Sequence, residues 1–326
     1  MTVDVEIASF LRHVGGDTPS TITPLHGGAN NRVYRVDAPS GSTCVKWFAE
    51  PSATHDRFEH EITFVRAIAE AAGEWIPRLL ASSRSHRMAQ YELIDGVRPA
   101  AEAVTPEMVS VAAAFLAAVN RTAPTESARI GHAVDACFSI ADNLAGVDRR
   151  VERLRTAELE GVCHTLVQEG LVPTWSSVRA AAANGPEQAA GDRWLSPSDI
   201  GFHNSLSTAG RLVFVDFEYA GWDDPAKTIA DFFAQPDYTV DAALLPAFAR
   251  EAGVSPQVAG RARALVPVER VRWSCIVLND FIEPAASRRR QSLGTAAWEA
   301  RRLSQIEKAA GMLRIAARET ASGGMT

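Results

Sequence analysis

The strongest constraint on this chain is an interruption. Its second half is patterned mostly for helices, yet residues 195–216 break that pattern with a loop and a short hairpin. The segment reads Ser196-Pro197-Ser198-Asp199-Ile200-Gly201-Phe202-His203-Asn204, followed by Val213-Phe214-Val215-Asp216-Phe217-Glu218. It sets an Asp, an Asn five residues later, and a second Asp closing a Leu-Val-Phe-Val run whose burial spares only its tip. Oxygen donors spaced this way suit phosphoryl transfer from ATP, which needs a carboxylate to orient the attacking hydroxyl and oxygen ligands to hold Mg²⁺. Asp199 suits the first task, and Asn204 with Asp216 the second. Taken alone, Asp199 equally suits a loop-capping role after Ser and Pro; the trio together argues against coincidence.

Around this segment the chain divides in two. Residues 22–25, 33–37, 43–48 and 88–94 read as strands, rich in β-branched and aromatic residues and bounded by Gly, Pro and Ser. Residues 3–14 read as a short amphipathic helix. Residues 56–72 read as a longer one, with Phe58, Ile62, Val65, Ile68 and Ala69 on one face and Gly73 as its C-cap. Asp95-Gly96 is a turn signal and the natural cut, giving domains 1–95 and 96–326. Beyond it, helices are expected over 106–121 (Thr105 as N-cap, with Met108, Val111, Phe115 and Val119 on one face), 135–155, 174–183, 240–252, 256–281 and 295–317.

Three further stretches bear on function. His26-Gly27-Gly28-Ala29-Asn30-Asn31 lies between two expected strands, where glycines let backbone N–H groups approach an anion; an ordinary glycine hairpin fits the same letters. Lys46 sits inside the apolar strand Cys44-Val45-Lys46-Trp47-Phe48 and must either face solvent or meet a partner, for which Glu61 on the next helix is placed. Tyr91-Glu92-Leu93-Ile94-Asp95-Gly96 reads as a strand running into a turn.

In their order along the chain these residues resemble the aminoglycoside phosphotransferase and choline kinase family. The resemblance implies an α+β, two-lobed protein-kinase-like fold over nearly the whole chain. A small antiparallel-sheet N-lobe with one main helix would precede a larger, mostly helical C-lobe. It implies a phosphate loop with Gly27, Gly28 and Asn31, and a Lys46–Glu61 pair that positions the nucleotide phosphates. The Glu92 carbonyl and Ile94 amide would hold adenine, Asn204 and Asp216 would hold Mg²⁺, and Asp199 would act on the acceptor hydroxyl. Many relatives carry His-Gly where this chain has Pro197-Ser198, and an Asp where it has Thr228; Asp231, one turn on, is a candidate to take over that second position.

The acceptor is less legible. Glu218, Asp223, Trp273, Asn279 and Asp280 are candidate acceptor contacts, the last three at helical spacing. Asp223, Asp224, Glu218, Asp280 and Glu283 could form a pocket for a cationic acceptor, whereas Arg270, Arg272 and 288–290 argue for an anionic one; a partly buried helix with a polar edge fits as well. A sugar or sugar-containing metabolite is the favoured acceptor, an aminoglycoside, nucleoside or peptide antibiotic the alternative, and a nucleotide-binding pseudokinase the reading from another class. The net charge of −6 argues against nucleic acid as partner. No apolar run is long enough to span a bilayer, and the first 14 residues carry Asp4, Glu6 and Arg12, unlike a signal peptide. Cys44, Cys137, Cys163 and Cys275 form no Cys-x-x-Cys pair, which favours reduced thiols and a cytoplasmic protein over zinc or disulfides.

Overall fold

The computed structural model describes residues 2–25, 31–52, 54–121, 129–183, 192–283, 286–287, 290 and 295–323. Gly27, Gly28, Arg288 and Arg289 lie outside the described residues. Packing groups the chain into two compact units, Met1–Val134 with Leu195–Trp222, and Asp135–Trp194 with Asp223–Thr326. The segment that carries Asp199, Asn204 and Asp216 therefore packs with the N-terminal sheet.

In the first unit, β1 (Thr21–Leu25), β2 (Arg32–Ala38), β3 (Gly41–Trp47), β4 (Leu79–Ser83) and β5 (Met88–Glu92) form an antiparallel sheet in the order β1-β2-β3-β5-β4. The period of two decides what each face carries. Tyr34, Val36, Val45 and Met88 pack on Ile7, Phe10 and Leu11 of α1 (Val3–His13). The register pairs Tyr34 with Val45 and Val33 with Lys46, so Val33, Cys44 and Lys46 share the opposite face. Helix α2 (Arg57–Ala72) starts where the Asp56 carboxylate accepts the amides of Phe58 and Glu59 at 3.1 and 3.4 Å. It buries Phe58, Ile62, Val65 and Ile68, and with them Glu61.

Gly73 does not act as a left-handed C-cap. Its φ of −60° continues the helix into a 3₁₀ turn, Gly73–Trp75. Helix α3 (Pro106–Val119) follows, with Thr105 Oγ1 accepting Met108 N at 3.4 Å. Its buried face runs through Val109, Ala112, Phe115, Leu116 and Val119, leaving the expected Met108 and Val111 half-buried.

Phe115 stacks on Phe214 at 4.6 Å between ring centroids, and Phe217 lies 5.4 Å from Phe64 of α2. This aromatic layer is the floor under the 195–216 segment. β6 (Trp194–Ser196) opens that segment and the hairpin β7 (Ser205–Thr208) and β8 (Arg211–Phe214) lies within it; β9 (Gly221–Asp223), just beyond it, pairs with β6. Gly96 is needed where the 95–97 turn meets the hairpin: a Cβ there would fall 2.9 Å from Ser207 O, and Val97 and Ser207 exchange backbone hydrogen bonds of 3.0 and 2.8 Å.

The second unit is helical: α4 (Ile140–Thr156), α5 (Gly161–Thr165), α6 (Val172–Ala182), α7 (Pro225–Ala234), α8 (Leu245–Glu251), α9 (Pro256–Leu278) and α10 (Thr295–Gly323). Helix α9 packs against α10, α7, α4 and α6. It is enclosed on most sides, so it cannot be amphipathic in the usual one-stripe sense. Its buried charges are matched instead: Arg261 with Asp224 at 2.7 Å, Arg270 with Glu319 at 2.9 Å and Arg272 with Glu269 at 2.9 Å. Three expected helix starts move, the one over 240–252 to Leu245 behind a 3₁₀ turn, Ala242–Leu244. Residues 135–139 stay outside α4, because Asp135 adopts φ +60° and Ser139 caps Asp142 N at 3.0 Å. The helix expected over 174–183 begins earlier, α5 running through a π-helical stretch, Leu166–Leu171, into α6. Among the described residues no helix is long and apolar enough to cross a membrane.

Candidate active site

Lys46 is 7% exposed, and its partners decide its state. Nζ lies 2.5 Å from Glu61 Oε2 and 2.6 Å from Asp216 Oδ1. Burial alone would lower the ammonium pKa, but the two carboxylates outweigh it and hold the group charged, above its ordinary value. Burial pushes the Glu61 carboxyl up, against the opposing pull of Lys46. The other Glu61 oxygen accepts from Tyr91 Oη at 2.8 Å, a buried contact that the sequence reading missed. Tyr91 reaches it because β5 neighbours β3 and Cys44 pairs with Tyr91 in the register. Cys44 is pushed up to about 11 by burial, so its thiol is protonated at neutral pH.

The hairpin explains how Asn204 and Asp216 meet. Ser205 pairs with Phe214, and Val215 N donates to Asn204 O at 2.9 Å, which places Asn204 across the ladder from the residue before Asp216. Asp216 then leaves the ladder with φ +69°, a left-handed conformation that Asp tolerates better than most residues. Asn204 Nδ2 donates to Asp199 O at 3.0 Å and to Asp199 Oδ2 at 3.3 Å. His203 Nε2 sits 3.1 Å from the other Asp199 oxygen. Ser198 adopts φ +66°, with its amide donating to Ser196 Oγ at 3.0 Å. A serine in this conformation takes on a left-handed penalty of roughly 1–2 kcal/mol.

Asn31, Lys46, Glu61, Tyr91, Glu92, Ile94, Asp199, Asn204, Asp216 and Glu218 line one cavity of about 410 Å³ within the first unit. Glu92 closes β5, and Leu93 and Ile94 leave the ladder along the cavity wall. Apolar lining comes from Leu25, Val33, Val65 and Leu206.

The other candidates fare differently. Glu218 is 2% exposed and is engaged by Asn31 Nδ2 and by Arg57 Nε, the latter at 3.4 Å; a buried, bonded carboxylate is not presented to an acceptor. Asp223 is fully enclosed, accepting from Lys227 Nζ at 2.5 Å, Cys137 N at 2.9 Å and Asp224 N at 2.8 Å, which makes it a structural anchor of the second unit. Trp273 Nε1 donates to Asp231 Oδ1 at 2.6 Å. Asp280 is 2% exposed and accepts from Arg301 and Gln305 at 2.7 and 3.1 Å; it borders a second cleft with Trp273, Lys308 and Asp237. Asn279 opens the 3₁₀ turn after α9. Thr228 is buried, its hydroxyl on Asp224 O at 3.1 Å. His203 stood in the quoted motif without a role; Arg57 and Tyr91 had no sequence signal beyond their types.

A five-stranded antiparallel sheet with a buried Lys–Glu pair, joined to a loop Asp and to an Asn and Asp on one hairpin, defines a protein-kinase-like phosphotransferase. The comparisons agree. The phosphotransferase enzyme family model matches residues 21–265, about three quarters of the chain, and the chain belongs to that family. No curated protein sequence matches it significantly. Among solved structures, spectinomycin phosphotransferase in complex with ADP and spectinomycin is 13% identical with a TM-score of 0.64, over 97% of this chain and 98% of that one. A choline/ethanolamine kinase family protein from Mesorhizobium loti is 18% identical with a TM-score of 0.61, over 94% and 93%. Macrolide 2'-phosphotransferase from Brachybacterium faecium is 15% identical with a TM-score of 0.56, over 94% and 96%. These likenesses place the fold.

Proposed function

We propose that this protein transfers the γ-phosphate of ATP to a hydroxyl of a small molecule, with residues 1–95 as the nucleotide lobe and 96–326 completing the catalytic loop and acceptor side. The observation that carries the reading is the shared cavity of Lys46, Glu61, Asp199, Asn204 and Asp216. In this reading Lys46, steadied by Glu61, binds phosphate oxygens. Asp199 orients the acceptor hydroxyl and takes its proton as the new O–P bond forms and the bond from the γ-phosphorus to the bridging oxygen breaks. The Glu92 carbonyl and Ile94 amide are the proposed adenine contacts.

Asn204 and Asp216 would hold Mg²⁺, and the donors suit it. The Asn204 amide nitrogen is committed to Asp199, which leaves its carbonyl oxygen as the donor, and the Asp216 side chain is 38% exposed. Among the described residues no group of three or more His, Cys, Asp or Glu forms a cage. Two oxygen ligands supplemented by water and phosphate are the usual Mg²⁺ arrangement. The metal would supply positive charge to the phosphate oxygens.

A sugar or sugar-containing metabolite is our favoured acceptor over a polycation. The two carboxylates bordering the second-unit cleft, Asp237 and Asp280, are already met by Lys308 and Arg301. Trp273 and Asn279 remain the proposed acceptor contacts, Asp280 being enclosed by Arg301 and Gln305. The test is mass-spectrometric detection of phosphorylated product from Mg-ATP and a mixed pool of sugars, amino alcohols, nucleosides and antibiotics. The expected result is one product class, lost by about 10²–10⁴-fold in Asp199→Asn with ATP binding retained. Product formation by Asp199→Asn at the wild-type rate would refute the assignment of the base. Phosphorylation of aminoglycosides in preference to sugars would overturn the acceptor.

A further inference from the structure

The site contains an ion pair with a buried carboxylate, Arg57 with Glu218, that the phosphotransfer reading does not use. Arg57 opens α2, one turn before Glu61. Its Nε lies 3.4 Å from Glu218 Oε2, and its guanidinium carbon lies 5.9 Å from the centre of the Tyr219 ring. The same Glu218 oxygen accepts from Asn31 Nδ2. Asn31, 8% exposed, uses its own carbonyl to accept Ala49 N at 3.3 Å. Tyr219 is backed in turn by His55, stacked at 5.3 Å with 27° between the ring planes.

A single carboxylate oxygen thus joins three pieces of chain. Asn31 adjoins the glycine segment 26–30, Arg57 belongs to the helix that presents Glu61, and Glu218 lies two residues beyond Asp216. A carboxylate 2% exposed is costly unless charged and hydrogen-bonded partners surround it. Replacing either partner would release the others together.

We propose that Arg57 and Glu218 are positioning residues: through Asn31 they hold the phosphate-loop end and the first turn of α2 in fixed register with the Asp216 segment. The inference rests on the nucleotide reading above. Its consequence is that nucleotide phosphates meet an assembled site, so the benefit appears in nucleotide binding and not in recognition of the acceptor.

Arg57→Ala, Arg57→Lys, Glu218→Gln and the Arg57→Ala/Glu218→Gln pair would be compared with wild type. The readouts are the Kd of a non-hydrolysable ATP analogue with Mg²⁺, KM for ATP and for acceptor, the Mg²⁺ dependence of analogue binding, and thermal melting. The expected result is a rise of about tenfold in analogue Kd and in KM for ATP for Arg57→Ala, with acceptor KM unchanged. Arg57→Lys should recover part of it, and the double variant should be no worse than the weaker single one. A purely structural role would lower the melting temperature and leave the Kd of the folded fraction at the wild-type value, which overturns the proposal. So does an Mg²⁺ dependence altered by Glu218→Gln while Arg57→Ala binds normally, since that would make Glu218 a metal ligand alone. If Arg57→Ala does not fold, Arg57→Lys and Glu218→Gln decide by the same readouts. Wild-type protein that fails to bind the analogue sinks the nucleotide reading itself; wild-type binding with silent variants sinks only the strut.

Discussion

Replacing Lys46 by methionine should destabilise the first unit through a charge left behind on another residue. Lys46→Met keeps an unbranched apolar stem but removes the ammonium from Glu61 Oε2, 2.5 Å away. Asp216 loses the same partner, yet its side chain is 38% exposed and water replaces the contact. Glu61 is 3% exposed and keeps only the Tyr91 hydroxyl among its partners at this site. Its cost has a ceiling, because the carboxyl can take a proton. Held neutral at pH 7.5, it costs no more than 1.36 kcal/mol for each unit above its ordinary pKa of 4.5, about 4 kcal/mol in all. That value falls within the roughly 3–5 kcal/mol expected when one partner is removed from a buried pair. The sign follows from linkage: with Lys46 gone, the folded-state pKa of Glu61 rises further above 4.5, so the stability it allows is complete below 4.5 and lost as pH climbs through the folded value. The ceiling at pH 5 is only about 0.7 kcal/mol. Amide exchange in β3 and α2 is the suitable assay, since a chain of two compact units need not unfold in one step. The penalty should shrink several-fold between pH 7.5 and pH 5, and Glu61→Gln added to Lys46→Met should recover most of it at pH 7.5. A penalty that is constant with pH and indifferent to Glu61→Gln would refute the uncompensated carboxylate as its cause.

Three further changes test neighbouring parts of the argument. Tyr91→Phe strips the second Glu61 oxygen of its donor, and a loss of about 1–3 kcal/mol in stability with a fall of about tenfold in kcat/KM for ATP is expected from denaturation and steady-state kinetics. Ser198→Gly relieves the φ of +66°, and after the backbone entropy of glycine is charged against it, about 0.5–1 kcal/mol of added stability should appear in melting curves. Gly221→Ala would bring a Cβ to 2.4 Å from Ala133 N and 2.5 Å from His132 C; backbone cannot yield as a side chain can, so about 1–3 kcal/mol or more should be lost in the same assay.

Much of the fold was legible because alternation and caps are local. Residues 33–37 and 43–48 read as strands and Thr105 as a helix cap, and the structure has β2, β3 and the start of α3 there. β4 escaped because Leu-Leu-Ala-Ser-Ser has neither alternation nor β-branched residues, and it is a strand only through its pairing with β5. Helix α7 escaped for a related reason. Nine of its ten residues are buried, Lys227 and Thr228 included, so no polar stripe marks it. At Gly73 the residue type suggested a left-handed cap, whereas the chain goes on turning right-handed toward β4.

The site divides along the same line, between what one residue demands and what several residues agree on. A lysine in an apolar strand must have a partner, so Lys46 pointed to a carboxylate and Glu61 was one helix away. Nothing in that reasoning limits the partners to one. The structure gives Lys46 both Glu61 and Asp216, two of its three donor positions, and gives Glu61 a second donor in Tyr91. Lys46 therefore ties the helix carboxylate and the hairpin carboxylate to one ammonium group. Sequence can state each of these residues' needs separately. It cannot state that they are met by one another, because that depends on β5 lying beside β3 and on a hairpin that returns Asp216 to Asn204.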